Sequence, residues 1–114
     1  MKKRNKIMEL AKKKCIPCES RVPPLTIEQV QNYLKNVKGW KLNNNYIEKE
    51  YRFKTYLEGL NFVYAVGKLA EDEGHHPDIF LGYKKSRIIL TTHTIGGLSE
   101  NDFILATKID QIKS

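Results

Sequence analysis

The feature that most constrains the fold is a long amphipathic segment enclosed by two pairs of strand-like segments. Thr55-Tyr56-Leu57-Glu58 has the pattern of a helix-capping box, and apolar residues then recur at helical spacing as far as Glu73. Gly74 follows directly, as is typical of the position after a helix end. The sequence therefore predicts a helix over residues 56–73 that buries one face.

One β-hairpin is predicted before this helix in the sequence, and another after it. Strand patterns rich in β-branched and aromatic residues flank short polar turns. In the first turn, Asn43-Asn44-Asn45 tolerates positive φ. The predicted strands are Trp40–Leu42 and Tyr46–Phe53, then Ile79–Tyr83 and Arg87–Thr94, the last two joined by Lys84-Lys85-Ser86.

A further helix is predicted at each end of this pattern. Thr26 to Gln29 form a second capping box, and Gly39 ends the helix that it starts. Ser99 is the predicted cap of the last helix, with Asp102 three residues later. The order α-β-β-α-β-β-α predicts an α+β fold, in which three helices pack on one face of a single four-stranded antiparallel sheet. The other face must be solvated, bind a ligand or meet a partner.

The positive charge of the chain is concentrated in its first residues. Residues 1–25 carry eight Lys or Arg against two Glu, whereas the remainder is close to neutral. Pro23-Pro24 is stiff and extended and separates these parts. We therefore expect a basic leader over residues 1–21, flexible in part, and a folded domain over residues 22–114.

The leader is open to several interpretations. Three interpretations fit: a solvated tail, a contact for the phosphates of nucleic acid or lipid, and a transit peptide. We expect a solvated tail and do not expect nucleic-acid binding. Its Cys15-Ile16-Pro17-Cys18 has the spacing of a redox pair or of half a zinc site, but we expect two incidental thiols in a reducing cytosol. No signal peptide or apolar run of membrane-spanning length is evident, so we expect a cytoplasmic protein without a membrane partner.

All three histidines fall between residues 75 and 93. His75 and His76 follow the helix end, and Pro77 favours an extended His76. His93 lies on the predicted fourth strand. Glu71 precedes His75 by one helical turn, and Asp102 lies in the first turn of the last helix, where it also suits a capping role. Because histidine titrates near neutral pH, this cluster predicts an acid–base site.

A zinc site is the main alternative for these residues. His75 or His76 together with His93 and a carboxylate would supply plausible ligands. However, the sequence lacks a His-x3-His pair on a helix, and adjacent histidines rarely bind one ion together. We therefore expect acid–base chemistry without a metal or cofactor.

The same residues resemble the pterin-4a-carbinolamine dehydratase family. The family pattern matches Glu71, His75-His76-Pro77, the aromatic Tyr83, His93 and Asp102. The flanking text also fits, and the resemblance covers residues 22–112. The cysteine-containing leader is similar to bacterial members, and Gly74 stands where the animal members that act as coactivators carry Asp.

The resemblance implies a function as well as the fold. It implies dehydration of a 4a-hydroxytetrahydropterin to a quinonoid dihydropterin, in tetrahydrobiopterin recycling, with no cofactor or metal. His75 and His93 are the implied acid–base residues, and His76 chiefly holds the pterin. The implied pocket is lined by Gly74, Thr91, Thr92 and Thr94 beside the histidines, with Glu71, Pro77 and Asp102 in support.

The resemblance also implies partners. Family members form dimers whose sheets join edge to edge, and pairs of dimers that make tetramers. The alternative function is a dimeric protein-binding module that acts as a transcriptional coactivator.

Overall fold

A computed structural model describes residues 10–16 and 23–113 of the chain. Its regular elements are α1 (Ile27–Leu34), β1 (Lys41–Asn43), β2 (Tyr46–Arg52), α2 (Tyr56–Glu73), β3 (Asp78–Leu81), β4 (Lys85–Leu90) and α3 (Glu100–Lys113). This order confirms the predicted α+β plan. Among the described residues, no helix is both long and apolar enough to cross a membrane.

The described strands form one antiparallel sheet in the order β1-β2-β4-β3. The two hairpins meet along β2 and β4, which pair from Ile47 opposite Leu90 to Arg52 opposite Lys85. Asn44 has a φ of 54° in the first hairpin turn, as its residue type allows. The pairing of β2 with β4 joins the hairpin that precedes α2 to the one that follows it.

Side chains alternate across the sheet. Ile47, Tyr51, Ile88 and Leu90 are buried on the inner face, where they join the buried residues of the helices in one core. On the outer face, Arg87 pairs with Glu48 at 3.1 Å. One face therefore carries the helices and the other carries charge, as the period-two pattern predicts.

The helix caps follow the sequence closely. Thr26 and Gln29 form both bonds of a capping box at the start of α1. At the start of α2, the Thr55 hydroxyl accepts from the Glu58 backbone N–H, but the Glu58 carboxylate accepts from Lys54, one residue before the cap. Gly74 has a φ of 67°, which a residue with a Cβ adopts only at a cost.

Two predictions of secondary structure were wrong in part. The first helix was expected to end at Gly39, but α1 ends at Leu34. The fourth strand was expected over Arg87–Thr94, but β4 begins at Lys85 and ends at Leu90. Thr92 then pairs with Gly97 in an isolated bridge, and residues 93–95 form a 3-10 turn that closes at Gly96, with a φ of 69°. The two glycines that follow allow this tight loop, and it lifts His93 off the sheet.

The described part of the predicted leader, residues 10–16, packs against the folded domain. Residues 10–12 are helical, a fourth helical segment beside the three predicted. Leu10 is buried in the core, and Lys13 pairs with Glu100 at 3.0 Å. The prediction for Cys18 lies outside the described residues, as do those for residues 1–9 and for Val22.

Candidate active site

The two histidines that follow α2 point in different directions. The backbone N–H of His75 donates to the Ala70 carbonyl, and Gly74 turns the chain out of the helix. His75 then faces the start of α3, whereas His76 faces back along α2. The adjacent imidazoles are therefore in different surroundings.

The His75 ring is held by a buried carboxylate. Its Nε2 lies 2.6 Å from Oδ1 of Asp102, whose side chain is 0% exposed. The other oxygen of Asp102, Oδ2, accepts from the Thr92 hydroxyl at 2.9 Å and from the Ser99 backbone N–H at 3.0 Å. A buried carboxylate needs such donors, and the N-terminus of α3 favours its negative charge.

Asp102 therefore serves the fold and the site at once. Its bond from Ser99 caps α3, and its backbone N–H donates in return to the Ser99 carbonyl at 3.1 Å. The same carboxylate fixes the ring plane of His75. Because Nε2 is engaged by Asp102, Nδ1 is the His75 ring nitrogen left to meet a bound molecule.

His76 makes a more exposed pair. Its Nε2 lies 2.6 Å from Oε1 of Glu71, and the two side chains are 62% and 78% exposed. Glu71 therefore pairs with the imidazole of His76 rather than with that of His75. Water screens this pair, so it holds His76 less firmly than Asp102 holds His75.

The loop after β4 also contributes to the site. His93 begins the 3-10 turn, and it and Thr94 are exposed. The Thr91 hydroxyl donates to the Asn45 carbonyl at 2.7 Å, which ties this loop to the first hairpin. His93 is thus positioned by a loop anchored at both hairpins rather than by a strand.

These groups line one cavity of about 350 Å³. Its lining consists of Ile16, Gly74, His75, His76, Thr91, Thr92, His93, Thr94 and Asn101. All residues proposed from the sequence as catalytic or substrate-binding are in this set. Asp102 lies behind His75, and Glu71, Pro77 and the exposed Tyr83 are outside the lining.

Other concave surfaces lack this chemistry. A larger groove of about 750 Å³ is lined by Arg52, Phe53, Lys54, Glu58, Asn61, Phe62 and Ile112, without a histidine. Within the described ranges, no three His, Cys, Asp or Glu side chains are grouped as a metal ion requires. Of the cavities described, the histidine-lined one is thus the site suited to proton transfer at neutral pH.

Comparison with known proteins agrees with this site. The family model described as pterin 4 alpha carbinolamine dehydratase matches residues 23–112. The chain belongs to the pterin-4a-carbinolamine dehydratase family. A relative from Nitrosomonas eutropha that carries the dehydratase name is 49% identical over 107 residues, which are 93% of this chain and 95% of that protein. One from Alkaliphilus metalliredigens is 45% identical over 92% of this chain and 96% of its own length.

Solved structures of similar proteins support the fold. A transcriptional coactivator/pterin dehydratase from Brucella melitensis matches with a TM-score of 0.77 and 27% identity, over 80% of this chain and 99% of that one. A pterin dehydratase-like protein described as a RuBisCO assembly factor of the α-carboxysome matches with a TM-score of 0.55 and 26% identity, over 64% of this chain and 84% of that one. The described fold thus matches that of a solved structure of a dehydratase.

Sequence reasoning missed two lining residues of this dehydratase-family site. Asn101 carries no signal of its own beside Asp102, which matches the family motif. Ile16 was assigned to a leader outside the domain. No local pattern marks either residue, since their role depends on contacts between segments that are 85 residues apart.

Proposed function

We propose that this chain dehydrates a 4a-hydroxytetrahydropterin. The C4a–O bond breaks, the hydroxyl leaves as water after it gains a proton, and N5 loses its proton to give a quinonoid dihydropterin. The observation that carries the proposal is the cavity that both His93 and His75, which is held by buried Asp102, line. Family membership supports the choice of substrate.

His75 and His93 are the proposed proton-transfer groups. When the His75 ring is neutral, it donates Nε2–H to Asp102 and presents the lone pair of Nδ1, which suits a base. When it is protonated, Nδ1 carries a proton, which suits an acid. Asp102 therefore keeps Nδ1 as the reacting atom in both states. His93 supplies the complementary transfer, so that hydroxide leaves as water.

Substrate binding is assigned to the rest of the lining. The hydroxyls of Thr91 and Thr92 are engaged with Asn45 and Asp102, so these residues chiefly shape the wall. His76, Thr94 and the backbone at Gly74 remain to meet the polar edge of the pterin. Glu71 orients His76, and Pro77 keeps it extended.

We also infer self-association into dimers and pairs of dimers. Strand β3 lies at an edge of the described sheet, where unpaired backbone groups suit a second copy. Along α2, Tyr56, Leu57, Leu60 and Tyr64 form an exposed apolar stripe that suits a further contact. Sedimentation should give dimers or tetramers, and Tyr64→Glu should shift tetramers to dimers. A wild-type protein that stays monomeric at micromolar concentration would reject the inference.

A coactivator role is not favoured, because the relatives with 41–49% identity carry the dehydratase name. The direct test is the decay of a freshly generated 4a-hydroxytetrahydropterin at neutral pH, with a chelator present. The protein should accelerate this decay, and the chelator should leave the rate unchanged. A decay rate equal to that without protein would overturn the proposal.

A further inference from the structure

Residues 10–16 are tied to the two elements that carry the site. The Cys15 backbone N–H donates to the Glu73 carboxylate at 2.8 Å, and Glu73 lies two residues before His75. The backbone of Ile16 bonds to Asn101, which directly precedes Asp102. This segment therefore bridges the end of α2 and the start of α3 at the point where both contribute to the cavity.

The side-chain amide of Asn101 binds both the backbone N–H and the backbone carbonyl of Ile16. The Ile16 N–H donates to Oδ1 of Asn101 at 3.0 Å, and Nδ2 of Asn101 donates to the Ile16 carbonyl at 2.5 Å. The Asn101 residue is 5% exposed. A nearly buried amide that pairs with both polar groups of one residue fixes that residue's position more strictly than a single bond would.

Ile16 itself is left with an uncovered side chain. It is 69% exposed and lines the cavity beside the histidines and threonines. Its exposed surface supplies apolar area that a flat ring can cover, and covering such area favours binding. The other lining residues are polar or glycine, so among them Ile16 is the large apolar side chain.

We propose that Ile16 is a substrate-positioning residue that packs against the bound pterin, and that Asn101 acts through it. This inference rests on the proposed dehydratase function. The part of the leader that precedes the family match thus completes one wall of the site. Ile16 contributes binding contact and moves no proton.

The test is the Ile16→Ala variant, assayed for dehydration and for binding of a reduced pterin by calorimetry. Because the bound pterin covers part of the Ile16 side chain, its loss should raise KM and the Kd of the reduced pterin about tenfold. The kcat should stay within about twofold of the wild type. Ile16→Val should restore most of the affinity. Ile27→Ala is the matched control, because Ile27 is 63% exposed on α1 and outside the cavity lining; its KM should equal that of the wild type.

A double-mutant cycle tests the role of Asn101. Asn101→Ala should raise KM and increase amide exchange at Ile16, and it should add little to KM in the Ile16→Ala background. Additive effects on KM would overturn that role. Wild-type kinetics in Ile16→Ala would overturn the inference while the dehydratase function stands. An inactive wild type would instead reject the function, and unchanged pterin binding in Ile16→Ala would then reject the inference separately.

Discussion

The Nε2 atom of His75 lies 2.6 Å from Oδ1 of Asp102, a carboxylate with no exposed surface. This contact joins His75, which follows Gly74 at the end of α2, to the first turn of α3. It gives one of three histidines a fixed ring, whereas His76 is paired at the surface and His93 stands on a loop. The three side chains are therefore suited to different tasks.

Replacing Asp102 with Asn should separate its two functions. Asn retains an oxygen that can accept from Ser99, so α3 should keep its cap and the Tm should change little. The amide no longer offers the carboxylate that orients His75, and kcat should fall by about 10²–10⁴-fold, the range of an acid–base contribution. Steady-state kinetics with thermal unfolding would check this, and an unchanged kcat would remove Asp102 from the mechanism.

His76→Ala should act mainly on binding. Because His76 is exposed and paired only with an exposed Glu71, its loss should raise KM more than it lowers kcat. Glu71→Gln should have a smaller effect in the same direction. The measurement is the KM and kcat of both variants, and a kcat loss in His76→Ala as large as in His75→Ala would contradict the division of roles.

Cys15 should be a slow nucleophile. Burial and then the neighbouring Glu73 raise the pKa of its thiol to about 12, and the thiol donates to the Asn101 carbonyl at 3.6 Å. In a Cys18→Ser variant, alkylation by iodoacetamide at pH 8 should be roughly a hundredfold or more slower than that of a free thiol. Alkylation at the rate of free cysteine would show that this thiol is not held as described. This geometry favours a structural Cys15 over a redox one.

Docking of residues 10–16 should weaken in acid. Burial raises the pKa of Glu73, but the Cys15 backbone N–H and the charges of Lys108 and Lys14 outweigh it, so the pKa lies below its ordinary value of 4.5. The ionised carboxylate thus stabilises the folded state fully above that value, and this stability is lost as the pH falls through the lower folded-state pKa. Urea unfolding between pH 3 and 7 should show this component, and Glu73→Gln should lack it. A pH dependence that is identical in both proteins would contradict this assignment.

Local signals predicted most of the fold. Thr26, Thr55 and Gly74 act through bonds within one helical turn, so their roles can be read from short patterns. The end of β4 could not be predicted in this way. Thr91 and Thr92 favour a strand, but Thr92 pairs with Gly97 across the following loop, and the strand ends at Leu90. Ile16 and Asn101 lie in distant segments, and only the assembled fold shows that they meet.

His75 and His93 are the proposed proton-transfer residues of the dehydration. The most direct measurement is the rate of 4a-hydroxytetrahydropterin decay at neutral pH with the wild type, His75→Ala, His93→Ala and the double variant, each checked for folding by circular dichroism. Each single change should lower kcat by about 10²–10⁴-fold, and the double variant should approach the rate without protein. A folded double variant that turns over at the wild-type rate would contradict the account.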